Sequence, residues 1–125
     1  MSSTTENALV WAEIPTTDMD RAIKYYGAVT GVDLTLDESG PNPTATFPVD
    51  ADGPAASGHI YPGTPAPRGT GPTIHLAVKG GLEQTLGRVA EAGGQVLSEP
   101  ITIPAGRFAY TLDPDGNSVG MFERL

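Results

Sequence analysis

A carboxylate and an imidazole stand 62 residues apart at matching places in this 125-residue chain. Glu13 lies in Trp11-Ala12-Glu13-Ile14, and His75 in Thr73-Ile74-His75-Leu76. Both segments read as strands. A carboxylate beside an imidazole can pass a proton to and from a bound molecule, so Glu13 and His75 form a candidate acid/base pair. The same two groups also suit a hydrogen-bonded cleft floor that positions a ligand without turning it over. His59, the other histidine, lies close to Tyr61 and the proline-rich stretch after it, where a rim or binding position is expected. Arg107 suits either an anion or plain exposure on a loop. Asp113 and Asp115 resemble a carboxylate pair, but Asp113-Pro-Asp-Gly-Asn117 is turn chemistry. No phosphate-cradling glycine loop is present, because the stretch from Gly63 to Gly71 is broken by prolines. With no cysteine, disulfides and thiolate metal sites are excluded.

The two strands belong to a longer repeat. Val49-Asp-Ala-Asp-Gly53 returns 63 residues later as Leu112-Asp-Pro-Asp-Gly116. Each reads as a strand end, a tight Asp/Gly turn and a new strand, with Gly53 and Gly116 supplying positive φ. Met19, Ile23 and Tyr26 match Leu82, Leu86 and Val89 at the same offset, as Gly31 and Leu34 match Gly94 and Leu97. A period of half the chain is a duplicated module, not a solenoid.

Within the first module, residues 8–15 read as a strand. Thr17 caps a helix whose stripe is Met19, Ile23, Tyr26 and Val29, ended by Gly31. Of Tyr25 and Tyr26, one is expected in the core and one at the surface. Strands follow over 32–37, 44–49 (weakened or pushed to an edge by Pro48) and 55–61. Residues 62–72 are a stiff linker. The second module repeats the order: strand 73–78, helix 81–92 with Leu82, Leu86, Val89 and Ala90 inward, and strands 95–99, 108–112 and 117–123, with 101–107 a connecting loop. The expected organisation is one domain over 1–125, with modules at about 8–61 and 73–123. Seven Lys and Arg against fifteen Asp and Glu give a net charge of −8, which disfavours nucleic acid and anionic membranes as partners. Residues 1–7 carry no signal pattern and no apolar run approaches a membrane span, so a cytoplasmic protein is expected.

Two βαβββ modules carrying Ile14-Pro-Thr-Thr-Asp-Met-Asp-Arg-Ala-Ile-Lys-Tyr-Tyr26, Ala92-Gly-Gly-Gln-Val96 and Asp113-Pro-Asp-Gly-Asn117 resemble the vicinal oxygen chelate superfamily. That superfamily includes glyoxalase I, the bleomycin-resistance proteins and the extradiol dioxygenases. The match runs from about residue 8 to 123, and the chain looks most like small glyoxalase-like proteins of unassigned function. The resemblance implies an α+β fold, with tandem βαβββ modules forming a curled open-barrel sheet around a central cleft. It also implies a homodimer, and in metal-dependent members a divalent ion held by four inward side chains. Carried over to this chain, those four positions are Trp11, Ser57, Thr73 and Gly120, a poor donor set for Zn, Ni or Fe. No metal or cofactor is therefore expected at the usual place. If those four face the cleft, Glu13, His59, His75 and Phe122 do too, one step along. Glu13, His59 and His75 would be a displaced two-histidine, one-carboxylate set. Trp11, His59, Thr73 and Phe122 are the expected ligand-binding residues, Trp11 and Phe122 by stacking a flat molecule.

Two function classes fit. One is a binding module that holds a small, partly apolar or aromatic molecule without the usual metal. The other is a lyase or isomerase using Glu13 and His75, metal-free or with a displaced divalent ion. A third reading is a structural protein whose cleft is filled by its own side chains.

Overall fold

The structure, a computed structural model, describes residues 8–49 and 56–125. The first module runs β1 (Trp11–Thr16), α1 (Met19–Thr30), β2 (Thr35–Asp37), β3 (Thr44–Thr46) and β4 (Ser57–Pro62). The second runs β5 (Ile74–Ala77), α2 (Leu82–Glu91), β6 (Gln95–Val96), β7 (Ile101–Ile103), β8 (Gly106–Leu112) and β9 (Ser118–Arg124). Each module makes its own curled, unclosed sheet, in the order β1-β4-β3-β2 and β5-β9-β8-β6, with β7 also on β8. In both, the first strand pairs parallel with the last and the other pairings are antiparallel. The α+β fold expected from the sequence is the one observed. No helix among the described residues is long and apolar enough to cross a membrane.

Alternation on the strands decides what each sheet buries. Ile14 and Ile60 of one sheet, with Val119 and Met121 of the other, face the helices and join Tyr25, Tyr26, Val29, Leu82 and Val89 in one core. The helices touch each other as well as their sheets. Arg88 donates from Nε to the Ala28 carbonyl (2.9 Å), tying α2 to α1.

The turn between β8 and β9 clamps the modules together. Asp113, 1% exposed, accepts from the Tyr26 hydroxyl on α1 (2.5 Å), from the Asp115 and Asn117 amides and from Asn117 Nδ2. Asp115 reaches the β1–α1 junction. It accepts from the Thr16 hydroxyl (2.5 Å), the Thr17 amide and hydroxyl, and Arg21 (2.7 Å). Asn117 Nδ2 also donates to the Pro15 carbonyl. Gly116 adopts φ +86, as the turn requires. The Asp50–Gly53 turn, its counterpart in the repeat, lies outside the described residues.

The cross-module bonds revise several local expectations. Asp18, not Thr17, caps α1, accepting from the Arg21 amide, because Thr17 is committed to Asp115. Tyr25 and Tyr26 are both buried, at 1% exposure. The second module covers the side of α1 that an isolated module would leave wet. On α2, Thr85 is buried and Ala90 exposed, the reverse of an apolar-only stripe. The segment expected to be a loop over 101–107 contains β7 and the start of β8. The outer strand of this sheet is broken into β6 and β7, which pair with β8 at separate points. β3 stops before Pro48 and lies between β2 and β4, so β2 is the edge. Arg107 is no free loop cation. It donates to Glu83 (2.7 and 2.9 Å) and to Glu123 (2.9 and 2.7 Å), and those hydrogen bonds hold the Glu83 carboxyl down at about 2.

Burial alone would raise the Asp115 pKa; the hydrogen bonds from Thr16 and Thr17, with the Arg21 charge, prevail and hold it below its ordinary 3.8. Its contribution to stability is therefore complete above that value and is lost as the pH falls through the lower folded value. Asp115→Ala should cost about 3 kcal/mol in urea unfolding, because it removes the acceptor shared by the Thr16 hydroxyl and the Thr17 amide and hydroxyl, leaving buried Thr16 only the longer contact to the Asp18 carbonyl (3.1 Å). Arg21→Ala, which removes a half-exposed partner, should cost under about 1 kcal/mol. Equal losses would mean that the ion pair, not the buried hydrogen bonds, holds the modules.

Candidate functional site

The strand faces turned away from the helices carry the chemistry. On the first sheet, parallel pairing sets Trp11 beside Ser57 and Glu13 beside His59. The His59 imidazole is held at both nitrogens. Nδ1 accepts from the Trp11 indole N–H (2.9 Å), and Nε2 lies 3.2 Å from the Glu13 carboxylate. An indole can only donate, so Nδ1 must be bare and the proton of neutral His59 sits on Nε2, facing Glu13. The tautomer is thus fixed by its neighbours. The Tyr61 ring stands edge-on to His59, with centroids 6.1 Å apart. Glu13 is largely exposed and the His59 side chain mostly covered.

The second sheet is aromatic on the corresponding face. The His75 ring meets Phe108 (5.1 Å), Tyr110 (5.9 Å) and Phe122 (6.3 Å), all near perpendicular or steeply inclined. Phe108 and Phe122 lie parallel, 5.9 Å apart. Cross-strand pairing explains the cluster: Phe108 opposes Phe122, Tyr110 opposes Gly120, and His75 lies beside Gly120. Any side chain at Gly120 would collide with the His75 ring. Glycine there lets the imidazole lie flat over the strand. Tyr110 remains 38% exposed and Trp11, on the other sheet, 37%.

The structure therefore joins Glu13 to His59 and sets His75 among aromatic rings on the other sheet. The ladders give the reason. Ser57 and Gly120 match at the 63-residue offset; the residue beside Ser57 is Trp11, and the residue beside Gly120 is His75. In this frame His75 stands where Trp11 stands, and Glu13 corresponds to Ala77, the neighbour of Phe122. The sequence alignment of the first strands differs from the ladder by two residues. A two-residue difference preserves the face and changes the partner. Thr73 precedes β5, where its hydroxyl meets that of Ser118 (2.6 Å). Phe108 and Tyr110 were not singled out in the sequence. Their signal was the period-two run Phe108-Ala109-Tyr110-Thr111, read beside Phe122.

Among the described residues, no group of three or more His, Cys, Asp and Glu side chains is placed to hold a metal ion. Two cavities lie where β1 and β5 come together, of about 290 and 190 Å³, and Ile14 and Ile74 line both. The smaller is bordered by Glu13, by the linker at Thr70–Pro72 and by Asn117 of the clamp.

The fold has many known counterparts. A glyoxalase/bleomycin resistance protein from Albidiferax ferrireducens superimposes with a TM-score of 0.68 over 94% of this chain and 100% of its own, at 23% identity. Glyoxalase I from Zea mays gives 0.67 over 91% of this chain and 45% of its own, at 17% identity. At those identities the likeness is one of fold. Among curated sequences, CFP32 of Mycobacterium bovis and of Mycobacterium tuberculosis, named as a candidate glyoxylase, is 34% identical over 111 residues. That alignment takes in 86% of this chain and 41% of CFP32, so the chain spans about two-fifths of the length of these relatives. The model of one family, described as the Glyoxalase/Bleomycin resistance protein/Dioxygenase superfamily, matches residues 8–121. From the first strand to the last, on both sequence and fold, this chain belongs to that superfamily.

Proposed function

We propose that the protein binds a small, flat, partly aromatic molecule on the open faces of its sheets, without a metal at the family's usual position. The observation that carries this reading is the aromatic pavement of His75, Phe108, Tyr110 and Phe122 around Gly120. Ring edges and faces left partly open are suited to stacking a planar ligand, each such contact being worth roughly 0.5–1.5 kcal/mol beyond burial. Trp11 supplies an indole on the neighbouring sheet, and the His59–Glu13 pair supplies polar groups for orientation. The four inherited metal positions hold an indole, two hydroxyls and a hydrogen atom. That set does not fit a divalent ion, and no step is assigned to one. Acid/base turnover is the second reading. It is favoured by the His59–Glu13 contact, which places a carboxylate on an imidazole whose tautomer is fixed.

The protein has one tryptophan, so its emission reports on Trp11 alone. Titration with bleomycin and with a panel of planar aromatic acids should quench that emission saturably. Phe122→Ala and Tyr110→Ala should each weaken the affinity about tenfold, equivalent to about 1.4 kcal/mol. Failure of the whole panel to bind would end the binding reading. In the same reading two copies associate, covering the exposed Val96, Leu97, Ile101 and Ile103 along β6 and β7. Light scattering that returns the 12.9 kDa monomer at high micromolar concentration would remove that part.

The Trp11–His59 bond generates a separate expectation. Protonating His59 puts a hydrogen on Nδ1, facing another donor, so the indole contact must break while the contact to Glu13 strengthens. Acidification should therefore change Trp11 emission in a single step. His59→Gln should abolish it. A step that survives in His59→Gln would assign the change to another group.

A further inference from the structure

The larger cavity between the modules is walled by Ile14 of β1, Val32 and Phe47 of the first module, and Ile74 and Leu76 of β5. Among the described residues no hydrogen-bond ladder joins the two sheets, so their first strands leave a gap that side chains line but do not fill. Its volume, about 290 Å³, lies at the small end of ligand pockets, about 300–1,000 Å³. Four of the residues that line it have polar side chains, and two of those side chains are spoken for. The Thr30 hydroxyl donates to the Tyr26 carbonyl (2.5 Å), and the Ser57 hydroxyl to the Pro48 carbonyl (3.0 Å). The other two are His75, whose ring packs against Phe108, Tyr110 and Phe122 on the open face, and Arg124, for which no side-chain hydrogen bond or ion pair is found among the described residues.

Arg124 stands apart from the other arginines in this respect. The chain carries only seven Lys and Arg, with a net charge of −8. Arg21 is held by Asp115, Arg68 by Gln95, Arg88 by Ala28 and Thr85, and Arg107 by Glu83 and Glu123. Arg124 is the one arginine among the residues that line the cavity. A guanidinium binds a carboxylate through two parallel N–H donors, and the apolar walls exclude a ligand that is polar throughout.

We propose that the cavity between β1 and β5 is a binding site for a small monocarboxylate with an apolar body, its chain against Ile14, Val32, Phe47 and Ile74 and its carboxylate at Arg124. This site passes through the seam between the sheets and does not depend on the stacking surface proposed above. A ligand there contacts both modules at once, so its binding stabilises the paired arrangement over any in which the modules part.

Calorimetric titration with octanoate and with octanamide, which has the same chain without the charge, tests this. Octanoate should bind the unmodified protein, and more tightly than octanamide. Arg124→Gln should weaken octanoate about tenfold and leave octanamide nearly unchanged. Ala77→Trp, at an exposed position of β5 that lines the cavity, should abolish binding of both. Both substitutions are on the surface, and thermal melts of the variants verify that they fold. His59→Gln, outside the cavity, should leave octanoate binding as it was. No octanoate binding at millimolar concentration, an affinity unaffected by Arg124→Gln, or full binding in Ala77→Trp would each overturn the proposal. Loss of octanoate binding in His59→Gln would overturn it too, by moving the site to the open face. The planar-ligand panel remains a separate measurement, so either reading can fail alone.

Discussion

Everything in this molecule depends on two carboxylates being buried with enough donors to keep them there. Asp113 and Asp115 come from one five-residue turn in the second module, and most of the groups that satisfy them beyond the turn come from the first. A buried carboxylate without donors is costly, so this turn has no comparable home in an isolated second module. Tyr26 is equally bound. Burial and the neighbouring Asp113 push its phenol pKa far up, keeping it a donor at any physiological pH. The clamp fixes where β1 leaves off and α1 begins. It therefore fixes how β1 meets β5, and with that the seam and the aim of both open faces.

The hairpin could be recognised from its residues, but its second task could not. Asp-Pro-Asp-Gly-Asn reads locally as a turn because each residue type suits one. That the outward oxygens bond to Thr16, Thr17 and Arg21 depends on a contact across almost the whole chain. The same limit explains the two tyrosines. Helical periodicity assigns neighbouring residues to different sides, and α1 departs from that because β-sheet and second helix cover it from two directions. Likewise Thr17 suits a cap by type, but a hydroxyl already bound to Asp115 is not available, and Asp18 takes the position.

The site was legible to the level of faces and no further. Period-two alternation put Trp11, Glu13 and His59 on one surface of the first sheet, and His75 and Phe122 on the matching surface of the second. Those assignments need only parity, which survives any shift by an even number of residues. Partners need the register itself. In the first sheet that register gives Glu13 to His59; in the second it lays His75 over Gly120. The broken outer strand was missed for a related reason. Ile101-Thr-Ile103 is too short to declare itself as a strand, and only the long β8 beside it supplies the ladder.

The ladder frame also shows how two copies of one topology came to carry different chemistry. At the place where the first module has Trp11 beside Ser57, the second has His75 beside Gly120. Indole and imidazole are both flat, but they have opposite demands. Trp11 needs an acceptor and finds it in His59, one strand away and two residues on. His75 finds no such partner among the described residues and is held by ring edges instead. Removing the side chain at Gly120 makes room for that, and it also removes any donor atom from the position. A ligand-bearing residue there would displace His75 from the strand and open the aromatic cluster. The glycine, the ring packing and the absence of a metal-binding side chain at that point are thus one structural choice rather than three, and a single substitution at Gly120 would have to disturb all of them together.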